Sequence, residues 1–379
     1  MSEPSRRDVL IVGAGPAGLA LGACLAARGV RATLLEEGGA PGWSWLQRYE
    51  SLRLHTTRRD SRLPLLAMPG GDRYPTAKQF AAYCTHYAKA FGLDVRTNAR
   101  VARLYRREGA WLAETPGETF RATVAVVATG AHRVPHRPMI AGEERFPGAL
   151  LHSTACPSGK PFHGRRVLVV GGGNTALDLI ADLEAHGARP SISLRGPLHL
   201  MTRDMAGVNW HWRLRAALLA PLAVGRRAPG FLAAALRRQV AHAASARMRR
   251  RFADLEALGL RLADAATILR RVEAQRPPTV DHGAIALIRR GAIAVHGELV
   301  GLDERGARFA PPSDDPSAPG ESTPFDAVIF ATGFRADFDS LLDGEGDTAN
   351  LLRFGEVPLL SAIRQTAPAC ARRVQTLST

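Results

Sequence analysis

Lysine is almost absent from this 379-residue chain, which has only three lysines among 50 basic residues despite a formal net charge of +15. The arginines are spread along the chain instead of forming one basic arm, and no nucleic-acid-binding module is visible. We therefore predict no nucleic-acid partner. The positive charge suits anionic cofactors or a weak contact with an anionic membrane surface.

Cysteine is also scarce, and long apolar runs are missing. The four cysteines (Cys24, Cys84, Cys156 and Cys370) are scattered without a C-x-x-C pair, which argues against a disulfide framework and against dithiol chemistry. No window approaches the ~18–20 uncharged apolar residues that span a bilayer. The first predicted strand follows the N-terminus directly and leaves no room for a signal peptide, so we expect a cytoplasmic location.

Glycine, in contrast, is arranged in two matching segments, DVLIVGAGPAGLALG and RRVLVVGGGNTALDL. In each, an apolar strand leads through a tight turn into an amphipathic helix. The first position permits the turn, the second lets a pyrophosphate approach the backbone, and the third packs helix on strand. The phosphates then face the helix N-terminus. The three positions are Gly13, Gly15 and Gly18 in the first segment and Gly171, Gly173 and Ala176 in the second.

Two such segments predict an α/β protein with two Rossmann-like dinucleotide-binding domains. After the first, the strand RATLLEE ends in Glu36, where an acid can accept hydrogen bonds from the ribose hydroxyls of an adenosine. Glu37 is the alternative, and a solvated acid at a strand end is a third reading. Two apolar runs end in the same ATG triplet, at Ala128–Gly130 and Ala331–Gly333, and let the backbone come close to a cofactor.

The positions of the ATG triplets on either side of the second glycine segment indicate that one domain is inserted into the other. We predict a first domain of residues 1–157 and 325–379 and a second domain of residues 158–324, which carries a basic helical insert at about 208–252. The Pro- and Gly-rich segment 145–164 is predicted to connect the two domains.

Arginine replaces the usual acid at the end of the second domain's second strand. Arg195 there can pair with the 2′-phosphate of NADPH, since a guanidinium fork suits phosphate. Arg203 is a weaker candidate, and either residue could be an ordinary surface arginine. Asn174 is predicted to cap the helix that receives the NADPH phosphates.

Several motifs together resemble the class B flavin-dependent monooxygenases, and most of all the bacterial and plant-type (YUCCA-like) flavin-containing monooxygenases. The resemblance includes GAGPAG with Glu36, GGGNTA, and the segment PPTVDHGAIALIRRGAIAV. Within PGWSWLQRYESLRLHT it places Trp45, Tyr49 and His55, and within RFPGALLHSTA it places His152. The resemblance covers almost the whole chain.

Membership of that family implies an NADPH-dependent FAD enzyme. NADPH would reduce FAD, and the reduced flavin would react with O₂ to a C4a-(hydro)peroxyflavin that transfers one oxygen atom to a small organic substrate. The substrate could be an amine or sulfide, a ketone (Baeyer–Villiger insertion), or a 2-oxo acid that is decarboxylated. An NAD(P)H oxidase or reductase without productive oxygenation is the alternative enzyme, and a degenerate flavoprotein acting as a partner protein is the alternative without activity.

The resemblance also names site residues. His55 is the candidate catalytic residue near the flavin, with a structural role as the alternative; His152 is expected to be a hinge residue, and Trp45 to pack on the flavin or to fill core. The predicted cofactor-binding positions are Gly13, Gly15, Pro16, Ala17, Gly18, Glu36, Trp45, His55, Val101, Thr129, Gly130, His152, Gly171, Gly173, Asn174, Thr175, Ala176, Arg195, Arg203, Thr332 and Gly333. No metal ligand is predicted.

Two segments depart from the family pattern. After DFDSLLDGEGDTANLLRFGEVPLL the chain shows neither the expected glycine-rich segment nor a recognisable closing helix of the FAD domain, which predicts less than stoichiometric flavin. Residues 208–252 are rich in Arg and Ala, and either cover the NADPH domain or lie on an anionic membrane. The oligomeric state is not indicated.

Overall fold

The computed structural model describes residues 6–202, 230–274, 276–310, 322–342, 351–353 and 360–378. The chain divides into two compact units. The first unit contains Met1–Arg48, Leu52–Pro135 and Phe334–Thr379, and the second contains Tyr49–Ser51 and His136–Gly333.

The described residues form eighteen β-strands and nine α-helices. The strands are β1 Arg6–Val12, β2 Ala32–Leu35, β3 Asp94–Arg96, β4 Arg103–Arg107, β5 Ala110–Glu114, β6 Thr119–Val127, β7 Val134–Pro135, β8 Ala149–His152, β9 Arg166–Val170, β10 Arg189–Ser193, β11 Leu200–Thr202, β12 Thr279–Asp281, β13 Ala294–His296, β14 Leu299–Asp303, β15 Gly306–Phe309, β16 Ala327–Phe330, β17 Phe334–Arg335 and β18 Leu351–Arg353. The helices are α1 Pro16–Ala26, α2 Trp43–Leu46, α3 Arg58–Ser61, α4 Ala77–Ala90, α5 Asn174–Ala185, α6 Gly230–Phe252, α7 Ala265–Glu273, α8 Ala284–Arg289 and α9 Leu360–Ser378.

The sheet of the first unit has the strand order β3-β2-β1-β6-β5-β4, with β18 paired to β6. Strands β3, β2, β1, β6 and β18 run parallel, and β5 and β4 continue as an antiparallel meander. Val9 and Ile11 pack on one face of the sheet, whereas Leu10 and Val12 pack on the other. Because both faces are covered, β1 is a continuous apolar run and not an alternating one.

Helix α4 begins after its N-cap Thr76 and ends before Phe91. Thr76 accepts a hydrogen bond from the Gln79 backbone N–H (3.1 Å), and the Gln79 side chain accepts one from the Thr76 N–H (3.0 Å). This capping box satisfies two N–H groups at the start of the helix. Phe80, Tyr83 and Tyr87 point from α4 into the core of the first unit.

The expectation that the first unit lacks a recognisable closing helix is wrong. Helix α9 packs on α1, and the side chains of Ala367, Ala371 and Val374 are completely buried there. Pro368 lies inside this helix. Proline removes a backbone donor and normally ends a helix, which explains why the sequence pattern hides this one.

The second unit has a five-stranded parallel sheet of order β13-β10-β9-β16-β8. The unit boundaries differ from the predicted ones at 157/158 and 324/325. Strand β8 lies inside the segment predicted to be a mere connection, and β16 lies in the stretch assigned to the first domain. Both belong to the second sheet because β16 pairs with β8 and with β9.

The described half of the basic segment is helix α6. Its residues Ala241, Ser245, Met248 and Phe252 recur at helical spacing and are buried, and α6 packs on α7. The predicted Arg203 and the first part of the insert, to residue 229, lie outside the described residues. Among the described helices, none combines the length and the apolar composition needed to cross a bilayer.

Candidate functional site

A cleft opens in the first unit at the carboxyl ends of β1, β2 and β6. Its enclosed volume is about 170 Å³. A cleft at the carboxyl ends of parallel strands is where open α/β sheets bind ligands. The predicted positions in its wall are Gly13, Gly15, Pro16, Ala17, Glu36, Trp45, Val101, Thr129 and Gly130.

The three fingerprint glycines of this unit differ in what surrounds them. Gly13 has φ +106°, and a Cβ there would stand 2.6 Å from the Ala128 carbonyl oxygen. A Cβ on Gly18 would stand 2.0 Å from the Gly13 oxygen, so only glycine allows α1 to pack so close to the turn. A Cβ on Gly15 would meet no atom within 4 Å. The open space at Gly15 is the place where a phosphate can approach the backbone.

The N-terminus of α1 is free to bind an anion. Its N-cap is Gly15, no side chain caps it, and its first turn has no acidic residue. The first N–H groups of a helix have no partner within the helix, and its dipole favours negative charge. These features suit a pyrophosphate.

Glu36 lies at the end of β2 and is 7 % exposed. Its two carboxylate oxygens accept hydrogen bonds from the backbone N–H of Ala14 (2.9 Å) and of Gly38 (3.0 Å). Burial raises the pKa of the Glu36 carboxyl, and the two backbone hydrogen bonds work against that shift. Each oxygen keeps a second lone pair, so the carboxylate can still accept from the two hydroxyls of a ribose.

Thr129 supplies an unsatisfied group in the cleft wall. Its Oγ1 is buried and has no hydrogen-bond partner among the described residues. A buried hydroxyl without a partner is costly in a folded protein. A bound cofactor is a physical reason for keeping it, and the open cradle at Gly15 points to the same kind of ligand.

A basic wall that the sequence patterns missed faces this cleft. Its charge comes from Arg48, Arg100 and Arg133; His132 also lines the cleft and is neutral at pH 7. The Arg48 guanidinium lies 5.1 Å from the centre of the Phe334 ring, and the His132 ring meets the same ring edge-on at 5.5 Å. Surrounding protein atoms and then Arg48 lower the pKa of His132 to about 4. No local spacing identifies these residues, since they come from separate parts of the chain.

Trp45 and His55 are placed differently. Trp45 lies in the cleft wall and also packs edge-on against Phe80, with ring centres 4.7 Å apart. His55 is half-buried beside the backbone pairing of Leu54 with Pro75 (2.9 Å). His55 is not among the residues that line the cleft.

The second unit repeats the glycine arrangement at the carboxyl ends of β9 and β16. Gly171 has φ +134°, and a Cβ there would stand 2.5 Å from the Ala331 oxygen, whereas a Cβ on Gly173 would meet nothing within 4 Å. Ala176 is completely buried. Helix α5 has Gly173 as its N-cap, no side-chain cap and no acid in its first turn, which includes Thr175. This turn therefore has the same physical fit to a dinucleotide as the first.

Asn174 does not cap α5, contrary to the prediction. It is the first residue of the helix, and its amide pairs with the neighbouring chain: Oδ1 accepts from the Val280 N–H (2.7 Å) and Nδ2 donates to the Pro278 oxygen (3.3 Å). Thr279 also donates to the Gly172 oxygen (2.8 Å). The amide thus fixes the loop beside the turn and leaves the helix N–H groups open.

Arg195 lies where it was predicted, just after β10, and is exposed. Its guanidinium has no carboxylate partner among the described residues. The Nη2 of Arg261 donates to the Arg195 backbone oxygen at 2.9 Å, so a second guanidinium lies beside it. Sequence reasoning missed Arg261 because it is 66 positions away in the chain.

His152, Thr332 and Gly333 meet at the ends of β8 and β16. His152 Nδ1 accepts from the Thr154 N–H (3.2 Å), so we assign the proton to Nε2, which donates to the Gly333 oxygen (3.1 Å). Thr332 donates to the His136 oxygen. Nε2 of His152 thus bonds to the ATG turn, whereas Nδ1 bonds to the turn that follows β8.

A buried carboxylate joins three segments of the second unit. Asp178 on α5 accepts from the Tyr49 hydroxyl (2.6 Å) and pairs with His282 Nδ1 (2.9 Å). Its side chain is 6 % exposed and that of His282 is 11 % exposed. Tyr49 is one of the motif residues of the sequence resemblance, and this bond shows what it does: it attaches the segment Tyr49–Ser51 to the fingerprint helix.

All four cysteines are unpaired, and three of them are buried. Burial raises the pKa of Cys24 and Cys84, and that of Cys156 and Cys370 to about 11. The thiols are therefore protonated at neutral pH, and only a thiolate is a good nucleophile. The geometry thus agrees with the exclusion of dithiol chemistry. Within the described ranges, no cluster of His, Cys, Asp and Glu could hold a metal ion.

Comparisons with known proteins agree with this geometry. A family model described as pyridine nucleotide-disulphide oxidoreductase matches residues 10–206. The chain is 36% identical over 360 residues to the indole-3-pyruvate monooxygenase YUCCA1 of Oryza sativa subsp. japonica, which covers 94% of this chain and 83% of that protein. It is 32% identical over 341 residues to the probable indole-3-pyruvate monooxygenase YUCCA1 of Arabidopsis thaliana, covering 88% and 77%.

Solved structures show the same fold. A flavin-containing monooxygenase from Stenotrophomonas maltophilia superposes with a TM-score of 0.72 at 20% identity, over 99% of this chain and 100% of that one. A cyclohexanone monooxygenase from Rhodococcus sp. Phi1, bound to NADP⁺, superposes with a TM-score of 0.70 at 18% identity, over 99% and 85%. The two-domain Rossmann-like architecture predicted from the glycine segments is confirmed. The chain belongs to the YUCCA-type flavin-containing monooxygenases, which are FAD- and NADPH-dependent enzymes.

Proposed function

We propose that this monooxygenase decarboxylates an aromatic 2-oxo acid of the indole-3-pyruvate type. In the balanced reaction, the 2-oxo acid, O₂, NADPH and a proton give the carboxylic acid shorter by one carbon, CO₂, NADP⁺ and water. One oxygen atom of O₂ enters the new carboxyl group and the other enters water. The observation that supports this substrate class is the 36% identity, over nearly the whole chain, to a relative named for indole-3-pyruvate.

For FAD we propose the cleft of the first unit. The α1 N-terminus at Gly15 would receive the pyrophosphate, Glu36 would accept from the adenosine ribose, and Thr129 would use its free hydroxyl. Arg48 and Arg100 add positive charge to the wall, which favours an anionic cofactor. Trp45 would place apolar surface against the cofactor, and this contact would exclude water from the cleft.

For NADPH we propose the turn of the second unit. The α5 N-terminus at Gly173 would receive the pyrophosphate, and Arg195 together with Arg261 would pair with the 2′-phosphate. Asn174 and His152 would hold the loops beside the nucleotide in the geometry described above.

The protein's share of the chemistry is binding, orientation and the exclusion of water, because FAD and NADPH when bound supply the redox and oxygen-transfer chemistry. The described residues suit this division of labour: the cleft of the first unit is lined by arginines and by Glu36 and Glu37, and the two fingerprint helices present backbone N–H groups. His55 stays a candidate for positioning near the flavin, with a structural role as the alternative.

The test uses the flavin-loaded enzyme, NADPH and ¹⁸O₂ with indole-3-pyruvate, phenylpyruvate, cyclohexanone and a thioether as separate substrates. We expect the two 2-oxo acids to yield the shortened acids with one ¹⁸O atom per molecule and CO₂ in equal amount. Turnover of only the ketone or the thioether would contradict the substrate class and leave the monooxygenase in place.

The NADPH oxidase is the second candidate. It predicts H₂O₂ formed one-to-one with NADPH consumed, at a rate that none of the four substrates changes. We also propose a cytoplasmic location, supported by four unpaired cysteines, which suit a reducing compartment.

A further inference from the structure

The cleft proposed for FAD has two ends, and the strand order of the first unit separates them. Strands β2, β1 and β6 are neighbours in that order. Their carboxyl ends place Glu36 at one side of the cleft, the glycine turn in the middle and the ATG turn with Thr129 at the other. A dinucleotide whose ribose meets Glu36 and whose pyrophosphate meets Gly15 has its other half on the β6 side. The reacting end of FAD is therefore expected beside the segment that follows β6.

Three segments of the chain meet at this β6 end. His132 follows the ATG turn, Phe334 begins β17 and pairs with Pro135 of β7, and Arg48 follows α2. The guanidinium carbon of Arg48 lies 5.1 Å from the centre of the Phe334 ring, and the His132 ring meets that ring edge-on at 5.5 Å. These contacts place Arg48 at the end of the cleft opposite to Glu36.

The other two arginines of the cleft wall have different surroundings. The N–H of Ala99 donates to the Glu36 backbone oxygen (2.8 Å), which places the adjacent Arg100 at the ribose end. Arg133 lies at the β6 end, and its Nη1 donates to the Asp337 backbone oxygen at 2.7 Å. This bond commits the Arg133 side chain to holding a loop. Of the three arginines, the one beside the Phe334 ring is therefore best placed to meet a ligand at the β6 end.

The surroundings of Arg48 suit an anion with an aromatic body. Arg48 is half-buried, and the Phe334 ring holds its guanidinium in place without contributing a negative charge. Trp45, three positions earlier in the chain, lines the same wall with an indole ring. Guanidinium forks bind carboxylates through two parallel hydrogen bonds. A fork next to aromatic rings therefore matches an aryl-substituted carboxylic acid.

A 2-oxo acid has to bring its carboxylate to the reacting end of the cofactor. Its carboxyl carbon is bonded directly to the carbonyl carbon that becomes the new carboxyl group, so a side chain that binds the first also positions the second. A carboxylate without a partner is costly in a site from which water is excluded. The two acids that line the cleft, Glu36 and Glu37, lie at the other end and do not repel it there.

We propose that Arg48 binds the carboxylate of the aromatic 2-oxo acid and thereby selects acids over neutral ketones. This inference rests on the proposed function, because it takes the 2-oxo acid as the substrate class. In the reaction given above the carboxylate leaves as CO₂, so its charge is present in the substrate and is lost as the C–C bond breaks. An interaction of this kind lowers KM and adds little to kcat.

The first test measures binding without turnover. Indole-3-propionate, which has the carboxylate and no 2-oxo group, and its neutral amide are titrated calorimetrically into the FAD-loaded wild type, R48Q and R48K. We expect R48Q to weaken propionate binding about ten- to hundredfold by loss of charge-assisted hydrogen bonds and to leave the amide unchanged. R48K should weaken it less, since lysine keeps the charge and lacks the fork. R107Q is the control, because Arg107 is exposed and lies outside the cleft.

The second test reports where the acid binds. Propionate should shift the visible absorption of the bound flavin, and R48Q should lose this shift at concentrations that saturate the wild type. In steady-state kinetics we expect R48Q to raise the KM for indole-3-pyruvate about ten- to hundredfold and to change kcat by less than about threefold. Binding of propionate without any change in the flavin spectrum would place the acid elsewhere and overturn the inference.

The remaining outcomes separate this inference from the proposed function and from a role in holding FAD. Unchanged propionate affinity and unchanged KM in R48Q overturn the inference and leave the function standing. If R48Q loses flavin but its loaded fraction binds propionate as tightly as the wild type, Arg48 belongs to the cofactor site only. Equal affinity of the wild type for propionate and its amide overturns the inference without any variant. No turnover of any 2-oxo acid by the wild type overturns the function, and with it the 2-oxo acid as the occupant.

Discussion

At the residue scale, Gly15 and Gly173 are a matched pair. A Cβ on either would meet no atom within 4 Å, and both have the negative φ that alanine adopts easily. We expect Gly15→Ala to keep the fold and to lower FAD affinity roughly ten- to hundredfold, because its methyl group occupies the phosphate cradle. Gly173→Ala should keep FAD and weaken NADPH by a similar factor. The flavin-to-protein absorbance ratio and the KM for NADPH measure the two effects.

Gly117→Ala is the control for both variants, since it is likewise open and lies in the β5–β6 turn away from either fingerprint. If Gly15→Ala lowers the melting temperature of the apoprotein but leaves the flavin content of the purified enzyme unchanged, the phosphate cradle is wrongly placed. If Gly15→Ala instead raises the KM for NADPH and Gly173→Ala lowers the flavin content, the two cofactors are assigned to the wrong units.

His199 is a buried histidine in the second unit, 4 % exposed, whose Nδ1 has no partner among the described residues. Burial, and then the charge of Arg271, lower its pKa from 6.5 to about 4. The folded state therefore binds fewer protons than the unfolded state between these pH values. The contribution of His199 to the free energy of unfolding is therefore complete above pH 6.5. We expect the free energy of unfolding to fall by about 3 kcal/mol as the pH drops toward 4.

The measurement is the free energy of unfolding in urea between pH 4 and 7 for the wild type and for His199→Phe. The variant should lack this part of the pH dependence, whereas His86→Phe, at an exposed position, should keep it. Parallel curves for the wild type and His199→Phe would show that another group causes the acid sensitivity.

At the element scale, the closing helix α9 depends on small residues. Ala367 and Ala371 are completely buried against α1, and Ala369 on the same helix is exposed. We expect Ala371→Leu to lower the free energy of unfolding by about 1–3 kcal/mol, because the contact has no room for extra methylene groups. Ala369→Leu is the matched control and should change it by less than about 0.5 kcal/mol. Thermal unfolding of the two variants compares them directly.

The same helix shows what sequence patterns can predict. The strand–turn–helix units at Gly13 and Gly171 were predicted because periodicity and glycine spacing are local properties. Helix α9 was missed because Pro368 is a local signal against a helix that α1 overrides through packing. Strand β8 was read as a connection since its short run is recognisable only by its pairing with β16.

The candidate site divides in the same way. Gly15 belongs to a glycine-rich turn, Glu36 comes at the end of a strand, and Thr129 belongs to an ATG triplet. These local signals were enough to select three residues that lie in the cleft wall. Arg48, His132 and Arg261 reach their sites only through the fold. Asn174 was given the wrong role, because its bonds go to residues more than 100 positions away.

At the scale of the whole molecule, the net charge of +15 should assist the capture of the anionic nucleotide. We expect kcat/KM for NADPH to fall several-fold as ionic strength rises from about 0.01 to 0.15 M, where the screening length shortens from about 30 to 8 Å. NADH lacks the 2′-phosphate and should show a weaker dependence. Stopped-flow flavin reduction with both nucleotides measures this, and equal salt slopes would contradict it.

The chain passes between the two units four times, after Arg48, Ser51, Pro135 and Gly333. A gene segment encoding only residues 136–333 would omit Tyr49, and Asp178 would lose the hydroxyl that it accepts from at 2.6 Å. The second unit therefore cannot be exchanged between relatives as one uninterrupted cassette. A working chimera has to carry the tripeptide Tyr49–Ser51 from the same parent as its fingerprint helix.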